Sequence, residues 1–180
     1  MKQHEKHLKL TLSAFFLALC YTLPFLTGQI QQLGAMLTPM HFPVLLCGFL
    51  CGWPYGLAVG LIAPVFRSLT LGMPPLFPNA IAMSLELAVY GAVAGLSYML
   101  LPRKKGFVYP SLLIAMLAGR AAYGLAMLLF MGLAAKGYTW QAFFTAAFLQ
   151  SIPGILLQLL LIPPLVIVLE RIKAKHTRAS

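Results

Sequence analysis

The sequence has no aspartate and very few charged residues of either sign. Among its 180 residues there are three acidic side chains, all glutamate, and only 9% of the chain is charged. A water-soluble domain has about a quarter of its residues charged, so this composition excludes an ordinary soluble protein. The chain is instead apolar, with 61% hydrophobic residues and a mean hydropathy of +0.88. We therefore expect an integral membrane protein.

Several catalytic and cofactor motifs are also missing from the sequence. There is no GxxxxGK[ST] loop to cradle the phosphates of ATP and no GxSxG motif around a serine nucleophile. Without aspartate, carboxylate dyads and aspartate-based metal sites are not expected. Cys47 and Cys51 share a helix face, but no histidine or acidic residue lies at zinc-like spacing from them. The three cysteines are interpreted as buried thiols, and neither a cofactor nor an enzyme is predicted.

The net charge of +10 is concentrated in three short islands. They lie at residues 2–9, 103–105 and 171–178, and the long segments between them are almost uncharged. Nucleic-acid binding needs basic residues and interleaved aromatic side chains on one folded face, which this arrangement does not provide. Basic islands beside apolar segments are typical of the cytoplasmic side of a membrane protein. Both termini and the central loop are therefore predicted to be cytoplasmic.

Six membrane-spanning helices satisfy these constraints, in one compact all-α domain that includes all 180 residues. An even number of spans must separate cytoplasmic islands, which predicts four spans before the central island and two after it. The predicted spans are 10–26, 33–52, 55–71, 79–101, 111–134 and 142–169. The apolar run at 44–52 is short, so the second span is expected to include part of the preceding loop, with Pro39 and Pro43.

Three ionisable side chains lie inside the predicted spans. A charged residue at the centre of a membrane helix costs about 2.5–3.5 kcal/mol on insertion scales, so Arg67, Glu86 and Arg120 each need a reason to be there. Helical spacing places Glu86 with polar neighbours on one face of the fourth span, and Arg120 likewise on the fifth. These faces and the first outer loop predict a polar pocket open to the outside. Its candidate substrate-binding residues are Gln32, His41, Arg67, Asn79, Glu86, Tyr90, Arg120, Tyr123 and Gln150.

Other interpretations of the same residues stay open from the sequence alone. Glu86 and an arginine can form a structural ion pair, Arg67 can reach the membrane interface, and His41 can be an interfacial residue. Gln158 fits either the pocket or an interhelical contact. Because two arginines accompany one glutamate, however, one positive charge lacks a protein partner. An anionic substrate would supply that partner.

The order of these elements resembles the substrate-specific (S) components of energy-coupling factor (ECF) vitamin transporters. The resemblance covers nearly the whole chain. Its clearest part, at 38–96, is TPMHFPVLLCGFLCGWPYGLAVGLIAPVFRSLTLGMPPLFPNAIAMSLELAVYGAVAGL, and the later segments LAGRAAYGLAM and QSIPGILLQLLLIPPLV fit as well. It implies a multi-pass plasma-membrane protein that binds a water-soluble vitamin or precursor from outside. Delivery would follow docking on an ECF transmembrane coupling protein with two ATPase subunits.

The resemblance also implies a docking motif and a set of substrates. Family members dock through small residues spaced as AxxxA on the first helix, and Ala14 and Ala18 match that spacing. The excess positive charge favours a carboxylate or phosphate, which makes pantothenate the favoured substrate. Folate also has a carboxylate, and cobalamin, hydroxymethylpyrimidine and riboflavin remain open. The alternatives to an importer subunit are a self-sufficient small-metabolite carrier or channel and an intramembrane enzyme.

Overall fold

The computed structural model describes residues 2–27, 36–101, 105–133 and 152–179, and every regular element within them is helical. The α-helices of these segments are α1 (Lys2–Thr22), α2 (His41–Cys51), α3 (Trp53–Leu71), α4 (Ile81–Leu100), α5 (Val108–Leu133) and α6 (Ile152–Ala179). Helices suit a chain in lipid because their backbone groups are hydrogen-bonded within one segment. The all-α membrane fold predicted from the sequence is confirmed, whereas the cytoplasmic location of the termini stays a prediction.

Five helical segments of the described residues are long and apolar enough to cross a membrane. They are Glu5–Leu26, Trp53–Leu71, Leu76–Leu100, Val108–Met131 and Ile152–Ile172, and they overlap the first and the third to sixth predicted spans. The other helix, α2, has 11 residues. A helix of that length is about 16 Å long, too short to cross a hydrocarbon core of about 30 Å by itself.

The start of α2 differs from the start of the second predicted span at residue 33. Continuous helix begins at His41, because the backbone turns at Thr38, whose φ is 46°. A left-handed conformation at a β-branched residue costs on the order of 1–2 kcal/mol and cannot continue a right-handed helix. Pro43 fits because it lies in the first turn of α2, where its missing N–H costs no helical hydrogen bond. Residues 36 and 37 are helical, and residues 38–40 form the turn into α2.

Two glycines with positive φ allow tight connections around α3. Gly52 has φ of 102° and joins α2 to α3, and Gly72 has φ of 71° and ends α3. Glycine adopts such angles without the steric cost of a side chain. The proline-rich stretch that follows leads into a kinked turn, Leu76–Ala80, directly before α4, in which the backbone of Phe77 is extended. This connection determines where α4 begins.

Glycine packing brings α2, α3 and α4 into backbone contact. Glycines recur at every fourth residue from 48 to 60, a spacing that predicts close helix approach in lipid. In the fold, a Cβ on Gly48 or Gly56 would overlap the Gly91 backbone, and one on Gly60 would overlap the Leu87 backbone. Because α5 also packs against α4, the middle of α4 lies at the centre of the bundle.

The three cysteines are buried, and none of them forms a disulfide within the described residues. The Cys47 thiol donates to Ser13 Oγ and the Cys20 thiol to the Met40 carbonyl, each at 3.6 Å. Within the described segments, no group of three or more histidine, cysteine or acidic side chains is arranged to hold a metal ion. The cysteines therefore contribute to the packing of α1 against α2.

Candidate ligand-binding site

Ionisable side chains from three helices meet in the centre of the bundle. Oε1 of Glu86, on α4, lies 3.1 Å from Nη1 of Arg120 on α5 and 3.4 Å from Nε2 of His41 at the start of α2. Glu86 and His41 are each 2% exposed, and Arg120 is 6% exposed. Charges this deeply buried require an opposite charge to offset their desolvation. Glu86 and Arg120 each provide the opposite charge that the other needs.

Tyr90 and Gly119 bring α5 close enough for this contact. Tyr90 is fully buried on α4, one turn after Glu86, and its ring meets the His41 ring edge-to-face with 5.0 Å between centroids. On α5, Gly119 faces the Tyr90 ring, and a Cβ at this position would overlap the ring atoms. Because glycine has no side chain there, α5 lies against the ring and the next residue, Arg120, reaches Glu86.

Several polar atoms of this cluster form no hydrogen bond with the described residues. In the described part of the chain, no hydrogen-bond partner reaches Arg120 Nε, Arg120 Nη2 or His41 Nδ1. The Tyr90 hydroxyl interacts electrostatically with Arg120 but completes no hydrogen bond with it. Leaving a buried donor unpaired costs about 1–3 kcal/mol. The Nε–Nη2 edge offers two parallel donors, the geometry that binds both oxygens of a carboxylate.

The second buried arginine lies against α1. Nη1 of Arg67 donates to the Tyr21 carbonyl at 2.6 Å, and the guanidinium carbon lies 5.0 Å from the centroid of the Phe25 ring. A cation at the C-terminal end of a helix is favourable, and the aromatic face adds a cation–π interaction. Within the described segments, the ion partners of Glu86 are His41 and Arg120. The structure therefore does not bring Arg67 into the Glu86 cluster, and its contact with substrate stays a prediction.

The other predicted site residues fall into two groups. Asn79 is half-buried in the turn before α4, and Tyr123 packs against the small apolar cluster between α4 and α5. Gln32 and Gln150 lie outside the described residues. The side chains that the structure brings together are therefore His41, Glu86, Tyr90 and Arg120.

A neutral hydrogen bond joins α6 to the turn before α2. Gln158 Nε2 donates to Thr38 Oγ1 at 2.8 Å, and both side chains are buried. Of the two roles open for Gln158, the structure shows the contact between elements. Sequence reasoning missed Thr38 and Gly119, because a loop threonine and a glycine in an apolar helix have no distinctive pattern. The available signal was the glycine directly before an arginine in LAGR.

The two alanines of the predicted docking motif lie on the exposed face of α1. Both Ala14 and Ala18 are exposed, whereas Phe16 and Cys20 on the opposite face are buried. That opposite face packs against α2 and α3. The AxxxA motif is therefore accessible from outside the bundle, as docking requires.

Comparison with known proteins bears directly on this arrangement. A family model for the substrate-specific component of ECF transporters matches residues 8–166. The match includes the whole Glu86 cluster and most of the described helices. No curated protein and no solved structure gave a significant match. The matched range confirms the resemblance seen in the sequence: the chain belongs to the family of substrate-specific components of ECF transporters.

Proposed function

We propose that the chain captures a small carboxylate-bearing vitamin or vitamin precursor from outside the cell, with pantothenate favoured. The observation that carries the proposal is the Nε–Nη2 edge of Arg120, which is buried beside Glu86 and forms no hydrogen bond with the described residues. The transport role is inferred from membership of the family, and the preference for a carboxylate is inferred from this edge of Arg120. His41, Glu86, Tyr90 and Arg120 form the proposed centre of the ligand site, with Asn79 and Tyr123 beside it.

Donor geometry, rather than charge excess, supports an anionic ligand. The excess of positive charge in the spans included Arg67, but Arg67 contacts the end of α1. The Glu86 cluster therefore holds one carboxylate and one guanidinium. Because Glu86 contacts Nη1 of Arg120, it orients the guanidinium so that the Nε–Nη2 edge can bind a second carboxylate. His41 Nδ1 and the Tyr90 hydroxyl offer further hydrogen bonds, which suit the amide and hydroxyl groups of pantothenate.

Delivery into the cell is proposed to depend on an ECF coupling protein and two ATPase subunits. The chain has no nucleotide-binding loop of its own. The exposed Ala14 and Ala18 on α1 are the proposed contact with the coupling protein, because small residues let helices approach closely in a membrane.

The proposal is tested first by identifying the bound ligand. The protein is purified without added ligand, and compounds that co-elute are identified by mass spectrometry. Pantothenate binding is then measured by titration calorimetry for the wild type, Arg120→Lys and Arg67→Lys. Lysine keeps the charge but loses the two-donor edge. We expect Arg120→Lys to weaken binding roughly tenfold or more, and Arg67→Lys to change it by less than about threefold.

Three results would contradict the proposal. The first is a folded wild-type protein that binds no small metabolite at micromolar concentration. The second is substrate uptake into liposomes by the chain alone, which indicates a self-sufficient carrier or channel. The third is a covalent change in the bound compound, which indicates an enzyme.

A further inference from the structure

The turn before α2 is held in an unfavourable backbone conformation by a contact with α6. Thr38, with φ of 46°, occupies the left-handed region that β-branched residues rarely adopt, so surrounding contacts must keep it there. Gln158 is fully buried, and its Nε2 donates to Thr38 Oγ1 at 2.8 Å. The contact therefore fixes the turn to a distant part of the sequence.

Gly154, one helical turn before Gln158 on α6, allows the turn to approach the helix closely. A Cβ at this position would lie 2.6 Å from Thr38 Oγ1 and 2.7 Å from the Met36 carbonyl oxygen. Real Cβ atoms do not approach so closely, so any other residue would push the turn away. The surface of α6 therefore offers space for the turn at Gly154 and a hydrogen-bond donor at Gln158.

Thr38 also restrains the backbone of His41. Its carbonyl accepts the His41 N–H at 3.1 Å, and only two residues separate them. The His41 imidazole then lies beside Glu86, with Nε2 and Oε1 3.4 Å apart, and edge-to-face with Tyr90. Because the turn leads directly into α2, a shift of the turn would move the imidazole relative to Glu86 and Tyr90.

We propose that Gln158 and Thr38 are positioning residues of the ligand site, which hold His41 at Glu86 by fixing the turn at 38–40 to α6. The inference rests on the proposed function, in which His41 belongs to the ligand site. The other role for this hydrogen bond is to attach α6 to the bundle without any effect on His41. The two roles predict different results for the His41 side chain.

The NMR signals of the His41 ring, identified by their loss in His41→Gln, test the inference in histidine-labelled protein. Because the Tyr90 ring lies edge-on at 5.0 Å, these signals carry a ring-current shift. We expect Thr38→Val, which replaces the hydroxyl by a methyl group, to move these signals toward their positions in the denatured protein. We expect the same of Gln158→Leu. Thr38→Ser, which keeps the hydroxyl, should leave them in place.

Tyr98→Phe is the matched control. The Tyr98 hydroxyl donates to Glu170 Oε2 at 2.6 Å. This partly buried side-chain hydrogen bond also attaches α6, but 12 residues after Gln158, about 18 Å along the helix. We expect this variant to lower the unfolding temperature without moving the His41 signals. If Thr38→Val and Gln158→Leu also lower the unfolding temperature and leave the His41 signals unmoved, the positioning role is wrong.

Pantothenate titrations on the same variants separate this inference from the proposed function. We expect roughly tenfold weaker binding by Thr38→Val and Gln158→Leu, and wild-type binding by Thr38→Ser and Tyr98→Phe. If the wild type does not bind pantothenate, the proposed substrate is wrong, and the His41 signals still decide the positioning role. If the wild type binds and Gln158→Leu binds equally well, the positioning role is wrong and the proposed function stands.

Discussion

One carboxylate oxygen of Glu86, Oε1, contacts two side chains. It lies 3.1 Å from Nη1 of Arg120 and 3.4 Å from Nε2 of His41. Burying an ion pair costs several kcal/mol per ion, and apolar side chains of similar volume are often equally stable. Stability alone therefore gives no reason for the cluster. A ligand paired with the Nε–Nη2 edge of Arg120, as we propose, would give one, because it would remove the cost of donors that no described residue pairs.

A double-mutant cycle at Glu86 and Arg120 separates these effects. Glu86→Leu and Arg120→Leu each leave one buried charge unpaired, so we expect each to lower the free energy of unfolding by about 3–5 kcal/mol. The double variant removes both charges, so its free energy of unfolding should fall by less than that of either single variant. All three should fail to bind pantothenate. Denaturant unfolding in detergent and titration calorimetry measure the two properties.

The outcome that contradicts this prediction is additivity. If the losses in the two single variants sum in the double variant, Glu86 and Arg120 do not stabilise each other. If the double variant still binds pantothenate, the cluster is a structural ion pair and the ligand site lies elsewhere.

Among the helices, α4 combines packing and the candidate site on different faces. Gly91 lies against the backbone of α3, where a Cβ would overlap Gly56. The adjacent residue, Tyr90, faces Gly119 and His41. Close backbone packing on one face fixes the position of α4, and the other face then holds Glu86 in reach of α2 and α5.

Gly91→Ala tests the packing of α4. The added methyl group meets backbone atoms, which cannot rotate away as a side chain can, so we expect a loss of about 1–3 kcal/mol or more in the free energy of unfolding. Gly106→Ala is the control, because nothing lies within 4 Å of a Cβ at that position. Equal stability of the two variants would show that α3 and α4 are not in backbone contact.

In the whole molecule, the Glu86 cluster lies apart from the proposed docking surface. The cluster lies among α2, α4 and α5, whereas Ala14 and Ala18 lie on the exposed face of α1. The buried face of α1 packs against α2 and α3. A change on the exposed face of α1 therefore need not disturb the ligand site.

Ala14→Leu and Ala18→Leu test docking. A larger side chain holds two membrane helices apart, so we expect ATP-dependent uptake by the assembled transporter to fall roughly tenfold while pantothenate affinity stays at the wild-type value. Uptake is measured in liposomes that contain the assembled transporter, and pantothenate affinity is measured by calorimetry on the isolated chain. Ala58→Leu, at an exposed alanine of α3, is the control and should transport normally. Normal uptake by the α1 variants would exclude this docking surface.

Helical periodicity explains which residues of the Glu86 cluster could be grouped from the sequence. Glu86 and Tyr90 lie one turn apart, so any helix through them presents both on one face. The distances from Glu86 to Arg120 and His41 could not be predicted, because they depend on how closely separate helices approach. Gly119 controls one of these distances, and Thr38 restrains the segment that controls the other.

Composition and charge order by themselves determined that this is an all-α membrane protein, because its apolar segments are long enough to span a membrane as helices, and a helix satisfies its backbone groups within one segment. The sequence alone also singled out Arg67, Glu86 and Arg120 as costly buried charges. The tertiary structure decided their partners. It placed Arg67 at the end of α1 and Arg120 at Glu86, because pairing between helices depends on backbone packing, which no local pattern encodes.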